Sequence, residues 1–237
     1  MKAHEGSAMA TNSLVQRIAR QALATFCKPL HVFPDKHEQL LDLMSQARAT
    51  DLHLQPPAVD SPRPSGDPPV TYMHICETEH FSMGVFLLKS GACIPLHDHP
   101  GMHGALKVLY GKLRVSCFDR LDSQSVCTHL RPSSRPQVGV VRRSVLRSNA
   151  EYTDVSEACM LAPDRDNLHQ INAVEGPAAF LDVLAPPYDP DDGRDCHYFQ
   201  VLQGPKLHER EFWLMEIAQP LSFWCGTEPY PGPEVRL

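Results

Sequence analysis

The segment Gly91-Ala-Cys-Ile-Pro-Leu-His97-Asp98-His99-Pro-Gly-Met-His103-Gly104 reads as half of a metal site. Residues 83–89 predict a strand and Gly91 the turn after it, so the next strand starts near Ile94 and carries the histidines. Side chains alternate faces along a strand, which puts His97 and His99 on one side, roughly 7 Å apart at their Cα atoms, with Asp98 facing away. Two imidazoles so placed can converge on one ion. The plainer alternative is a pair of histidines in a polar loop. The flanking glycines and a further histidine far downstream favour the metal.

Other residues invite chemistry. Asp182 interrupts the otherwise apolar strand Ala179-Phe-Leu-Asp182-Val-Leu-Ala185. A buried carboxylate there needs a partner: a ligand imidazole, an arginine or a substrate amine. The acidic run Tyr188-Asp189-Pro-Asp191-Asp192-Gly-Arg-Asp195 fits an ammonium-bearing substrate, but equally a solvated turn. Cys196 and Tyr198 have the i, i+2 spacing that places two side chains on one face of a strand. Among the other histidines, His74, His80, His103, His129 and His208 have no placed partner, and His103 is the strongest rival ligand because it follows the Pro100-Gly101 turn.

Short elements must position these groups. Leu14–Phe26 is an amphipathic helix, with Leu14, Ile18 and Ala22 on one face beside Val15, Ala19, Leu23 and Phe26, and Arg17 and Arg20 opposite. Asp35-Lys-His-Glu38 opens a second helix, with Leu40, Leu41, Leu43, Met44 and Ala47 on its apolar side, fading near Ala49. Residues 55–69 hold too many prolines for helix or central strand and form a connector. From Val70 the pattern becomes short β-type runs, expected at 70–76, 81–89, 93–99, 105–110, 112–118, 138–146, 151–154, 158–162, 167–172, 178–186, 196–202 and 212–216. Leu121–Pro136 is a polar, Ser-rich loop. The expected organisation is a helical extension and connector over 1–69 and a β-barrel or jelly roll over 70–237.

Composition narrows the function classes. A chain of 237 residues with 42% hydrophobic and 21% charged residues is an ordinary globule. Its net charge of −6 argues against a nucleic-acid partner, and no apolar run is long enough to cross a bilayer. Eight cysteines stand singly, with no Cys-x-x-Cys pair and no secretory signal before them, which fits a reduced, cytoplasmic protein. The first helix has the look of a mitochondrial transit peptide, but Glu5 and the sparse arginines favour a helix packed on the barrel.

The spacing Gly91-(five residues)-His97-x-His99, closing at Gly111, resembles the first signature of the cupin superfamily of small β-barrels. Most cupins carry a glutamate ligand at the position that is Gly104 here, and its loss resembles the thiol dioxygenases, which hold iron with three histidines. The segments Asp166-Asn167-Leu168-His169-Gln170-Ile171, Ala185-Pro-Pro-Tyr188-Asp-Pro-Asp-Asp192-Gly and Pro229-Tyr-Pro-Gly-Pro233 are similar to that branch as well. The resemblance covers residue 68 to the C-terminus and the first helix. It implies His169 as third ligand, where the second cupin motif brings a histidine into the barrel. It also implies Asp182, Tyr188, Cys196 and Tyr198 around the reaction centre, the Cys–Tyr pair being open to a thioether bond.

Ligand type alone does not choose the metal, since three neutral imidazoles suit zinc, copper, iron or nickel. Fe(2+) is therefore what the resemblance implies. So are the substrates: cysteamine, proteins or peptides with an N-terminal cysteine, and O2, with the products hypotaurine and cysteine sulfinic acid and a link to oxygen sensing through the N-degron route. A monomer is expected. A different metal-dependent cupin enzyme or a non-catalytic binding cupin are the alternatives; Gly104 counts against the first and three retained histidines against the second.

Overall fold

A computed structural model describes residues 13–27, 35–57, 66–121, 141–202 and 209–237. Most of the Leu121–Pro136 loop, the middle of the connector, residues 138–140, His129 and His208 lie outside the described residues. Two helices come first, α1 (Leu14–Phe26) and α2 (Asp35–Ser45), then a short 3-10 turn at Ala49–Leu52. Ser13 caps α1 by accepting a hydrogen bond from the Gln16 amide, as N-cap serines do.

The strands are β1 (Val70–Glu77), β2 (Ser82–Leu88), β3 (Cys93–His97), β4 (His103–Tyr110), β5 (Lys112–Arg120), β6 (Val141–Thr153), β7 (Cys159–Leu161), β8 (Leu168–Ala173), β9 (Ala178–Ala185), β10 (Tyr198–Leu202), β11 (Glu211–Ile217) and β12 (Cys225–Thr227). They form two six-stranded sheets. The first runs β12-β1-β2-β9-β4-β7; the second runs β10-β11-β6-β5-β8-β3 and closes where Tyr198 of β10 pairs with His97 of β3. This is the double-stranded β-helix of a cupin.

Alternation along β9 shows how the layers use their faces. Ala179, Leu181, Val183 and Ala185 pack outward with Val15, Ile18, Leu40 and Met44 of the helices. Ala178 and Phe180 turn inward against Leu113, Val115 and Ile171 of the second sheet. Asp182 belongs to the inward row, so the one charge in this strand points between the sheets. The opposite face of the second sheet surrounds its own small core of Leu96, Phe118, Leu168, Phe199 and Leu214.

Several expectations need correction. Residues 141–153 form one strand, not two: the polar run Arg147-Ser-Asn-Ala continues it, because its partner β5 pairs along that length from Lys112 to Arg120 and takes up the irregularity in a bulge at Cys117/Phe118. Strand β3 ends at His97, so His99 is not on a strand. Cys196 precedes β10. The short β12, set beside β1 in parallel, has no strand pattern of its own.

Candidate metal centre

His97 and His169 face each other across the β3–β8 ladder, a register that brings their side chains to the same point between the sheets. His99 arrives by a different route. Leaving β3, the chain turns through Pro100 and Gly101, and the side chain of Asn167 holds the backbone of His99 on both sides: the His99 amide donates to Asn167 Oδ1 at 3.1 Å, and Asn167 Nδ2 donates to the His99 carbonyl at 2.7 Å. The three imidazoles are buried and their ligating nitrogens lie within 4.8 Å of one another.

The hydrogen bonds fix how two of these rings present themselves. His97 Nδ1 lies 2.8 Å from the Pro95 carbonyl, which can only accept, so Nδ1 carries the proton and Nε2 keeps a lone pair. Tyr188 donates its hydroxyl hydrogen to the Asp98 carbonyl at 3.0 Å and therefore accepts from His99 Nδ1 at 2.8 Å. His99 Nε2 is again left bare, 3.2 Å from His169 Nε2. Burial depresses the pKa of all three imidazoles below its ordinary value, and neighbouring histidines depress those of His99 and His169 further. Neutral rings with converging lone pairs are what a divalent transition ion requires, so the site fits a metal.

Gly104 shows why no carboxylate joins them. A Cβ at that position would lie 3.0–3.1 Å from the side chains of Leu161 and Leu184, so a glutamate there would have to push both leucines aside.

Asp98 is turned away from the metal, as strand alternation leads one to expect, but into a network. This carboxylate, 1% exposed, accepts from Arg120 Nη2 at 2.6 Å and from the His197 amide at 3.0 Å, with His197 Nδ1 at 3.1 Å. It thus ties the segment between two of the histidines to β5 and to the approach to β10. Asp98 and Asn167 are the supports that sequence reasoning missed. Asn167 stands in one of the motifs that carry the family resemblance, but its bond to a residue 68 positions away leaves no local trace.

The histidines floor a cavity of about 450 Å3. Its walls include Phe86, Ile94, Ile171 and Phe180, with Asp182, Tyr188, Cys196 and Tyr198 facing in. Among the described residues, Asp182 makes no bond to a histidine or an arginine; burial pushes its carboxyl up to about 7, opposed only by the Val183 amide. Cys196 lies between the Tyr188 and Tyr198 hydroxyls, its thiol pushed up to about 11 by burial. Among the described residues, no lysine or arginine lines this cavity.

The remaining candidates go elsewhere. His103 stacks on His37 of α2, with ring centroids 5.7 Å apart, and is not part of the cluster. Asp189 and Asp192 pair with Arg194, Asp195 caps the Cys196 amide, and none of Asp189, Asp191, Asp192 and Asp195 lines the cavity. Among the described residues, no helix is long and apolar enough to cross a membrane.

The barrel thus presents a three-histidine cluster, able to hold a metal ion, to a mostly apolar cavity. The PCO_ADO family model matches residues 42–235, and the chain belongs to that family, that of thiol dioxygenases. It is 55% identical to "2-aminoethanethiol dioxygenase" of Mus musculus over 94% of this chain and 96% of that one. Identity to "2-aminoethanethiol dioxygenase" of Homo sapiens is 52%, covering 94% and 97% of the two chains. "Plant cysteine oxidase 1" of Arabidopsis thaliana is 33% identical over 75% of this chain and 59% of its own.

Proposed function

We propose that the protein is an iron(II)-dependent dioxygenase that converts cysteamine to hypotaurine and an N-terminal cysteine of peptides or proteins to cysteine sulfinic acid, R–SH + O2 → R–SO2H. The observation that carries this reading is the cluster of three buried histidines, two of them with Nε2 left bare, at the floor of a cavity whose one acidic wall residue, among the described residues, is Asp182. His97, His99 and His169 would hold the iron, which when bound supplies open coordination positions and favours the thiolate over the thiol. The barrel from residue 70 onward is the catalytic unit, and the segment before it covers the outer face.

The residues of the chain define the substrate. Pro95 and Tyr188 lock the ligand tautomers, so neither ring has to reorganise. Asp182 receives the substrate ammonium, the group that cysteamine and an N-terminal cysteine share two carbons from sulfur. With no basic side chain among the described wall residues, free cysteine brings a carboxylate that nothing receives and that Asp182 repels. A cavity of about 450 Å3 is far more than cysteamine fills and lies within the usual range for ligands of drug size, about 300–1,000 Å3. Sulfinic acid at an N-terminus would mark the protein for N-degron removal in proportion to oxygen. The enzyme acts as a monomer in this reading, in the cytoplasm. Cys196 and Tyr198, which meet at the cavity wall, join as a thioether during turnover, with loss of two hydrogens to the O2 chemistry of the site.

Metal analysis with oxygen uptake tests the proposal. The expected result is one iron per chain, oxygen consumption with cysteamine, and loss of both in His97→Ala, His99→Ala or His169→Ala. Full iron and activity in His169→Ala would overturn the ligand assignment, and equal activity with zinc in place of iron would overturn the dioxygenase. Peptide mapping after many turnovers should find Cys196 and Tyr198 linked; separate peptides would remove the thioether alone.

A further inference from the structure

A second chamber of about 380 Å3 adjoins the metal cavity beyond Asp182, and the two share Phe86, Asp182, Leu184, Tyr188 and Cys225 in their walls. Its further wall is Tyr72, Glu77, Ser82, Gly84, Pro187 and Thr227. We infer that this chamber receives the chain following an N-terminal cysteine, and that Glu77 selects a cationic side chain at its second or third position. The inference rests on the peptide reading above.

The register explains how Glu77 comes to be there. Tyr72 pairs with Phe86 and His74 with Gly84, all on the inward face of the first sheet. Simple alternation would then send Glu77 to the outer face, among the helices. The β1 ladder instead slips between His74 and Cys76, and after that bulge Glu77 stands opposite Ser82 on the inward side. Bulges beside active sites commonly re-aim a side chain in this way. Ser82 in turn pairs with Leu184, while Gly84 pairs with Asp182, so one inward surface runs from Asp182 to Glu77. Gly84 makes room for the Tyr72 phenol, which lies over it where a Cβ would be and so forms the wall of the chamber between Asp182 and Glu77.

The charge of this surface is one-sided. Tyr72, Asp182 and Glu77 line the same chamber, and the Tyr72 phenol is held above its ordinary pKa by burial first and by these two carboxylates next. Among the described residues, no lysine or arginine lines the chamber and none pairs with Glu77; His74 shares the face, and both it and Glu77 are exposed, at the outer end of the chamber. The distances suit a short peptide. Glu77 lies two strands over from Leu184 and one residue pair along from Asp182, roughly 12 Å between backbones at about 4.8 Å per strand and 3.4 Å per residue. With its ammonium at Asp182, a substrate needs two or three extended residues, about 3.3–3.6 Å each, to bring a side chain there.

The test compares amidated peptides Cys-Lys-Gly-Gly, Cys-Gln-Gly-Gly and Cys-Glu-Gly-Gly, and the same set varied at the third residue, by mass spectrometry of the sulfinic product. At one of the two positions the wild-type enzyme should prefer Lys to Glu by about fivefold or more in kcat/KM, the order of one partly screened charge pair, and salt should reduce the preference. Glu77→Gln, of nearly the same shape, should bring the ratio toward parity, and Glu77→Lys should invert it. Equal rates at both positions, or an unchanged ratio in a folded Glu77→Gln enzyme, would overturn the inference and leave the peptide reading intact. Oxidation of cysteamine with no peptide oxidised would bring down both.

Discussion

Asn167 holds His99 as a neighbouring strand would, its carboxamide bonded to both the amide and the carbonyl of that residue. Neither residue is in a ladder with the other, yet two metal-facing histidines depend on the arrangement, since Asn167 stands two residues before His169. Asn167→Ala should leave the buried His99 amide unpaired, the His99 carbonyl still accepting from the Met102 amide, and lower unfolding stability by about 1–3 kcal/mol. Iron content should fall with it. Asn167→Asp keeps the acceptor and loses the donor, so its denaturation midpoint should lie between the two. Wild-type stability in Asn167→Asp would show that the bond to the His99 carbonyl contributes nothing.

Much of this was open to a reader of the sequence, for physical reasons. The alternation of β9 exposes Asp182 as the one polar residue in an apolar strand, and Gly or Pro at most strand ends fixes the punctuation of the barrel. What stayed hidden is long-range. His99 looked like a strand residue by its i, i+2 spacing, because nothing near it announces that Asn167 replaces the ladder. Asp98 looked idle, since Arg120 and His197, which it bonds, lie 22 and 99 positions away. The bulge that turns Glu77 inward has no glycine to mark it.

The bond between Tyr188 and His99 should set metal affinity more than stability. The phenol accepts from His99 Nδ1 and so keeps Nε2 free for the ion. Tyr188→Phe removes the acceptor and lets the ring turn over to the other tautomer. Loss of such an outer partner typically costs about 10–100-fold in metal affinity. Competition with a chelator measures it. An unchanged dissociation constant would mean that burial alone orients His99.

Gly104 is expected to accept a side chain only at a cost, because two leucines must move to admit it. A Cβ there meets Leu161 and Leu184 at 3.0–3.1 Å, so Gly104→Ala should destabilise the barrel by about 1–3 kcal/mol through overpacking. Gly104→Glu should be worse and should yield no carboxylate ligand, with the iron remaining three-histidine by X-ray absorption. A stable Gly104→Glu protein with a fourth protein ligand would refute this account of the donor set.

Asp182 links stability and selectivity through one carboxyl. Its ordinary value of 3.8 applies in the unfolded chain, whereas in the fold burial raises it to about 7. The folded protein therefore holds this proton more tightly than the unfolded chain. The stabilisation is complete below pH 4 and is lost as pH rises through 7, by about 4 kcal/mol at most. In metal-free protein, Asp182→Asn should match the wild type near pH 4 and exceed it in thermal midpoint at pH 8. Under the proposed function, an ammonium beside Asp182 would favour the carboxylate and offset its desolvation. The Asp182→Asn holoenzyme should thus lose kcat/KM for cysteamine and N-terminal cysteine while losing less, or gaining, for free cysteine. Pairing the two measurements separates the roles. A variant that is more stable at pH 8 yet keeps wild-type discrimination between cysteamine and cysteine would place the ammonium away from Asp182.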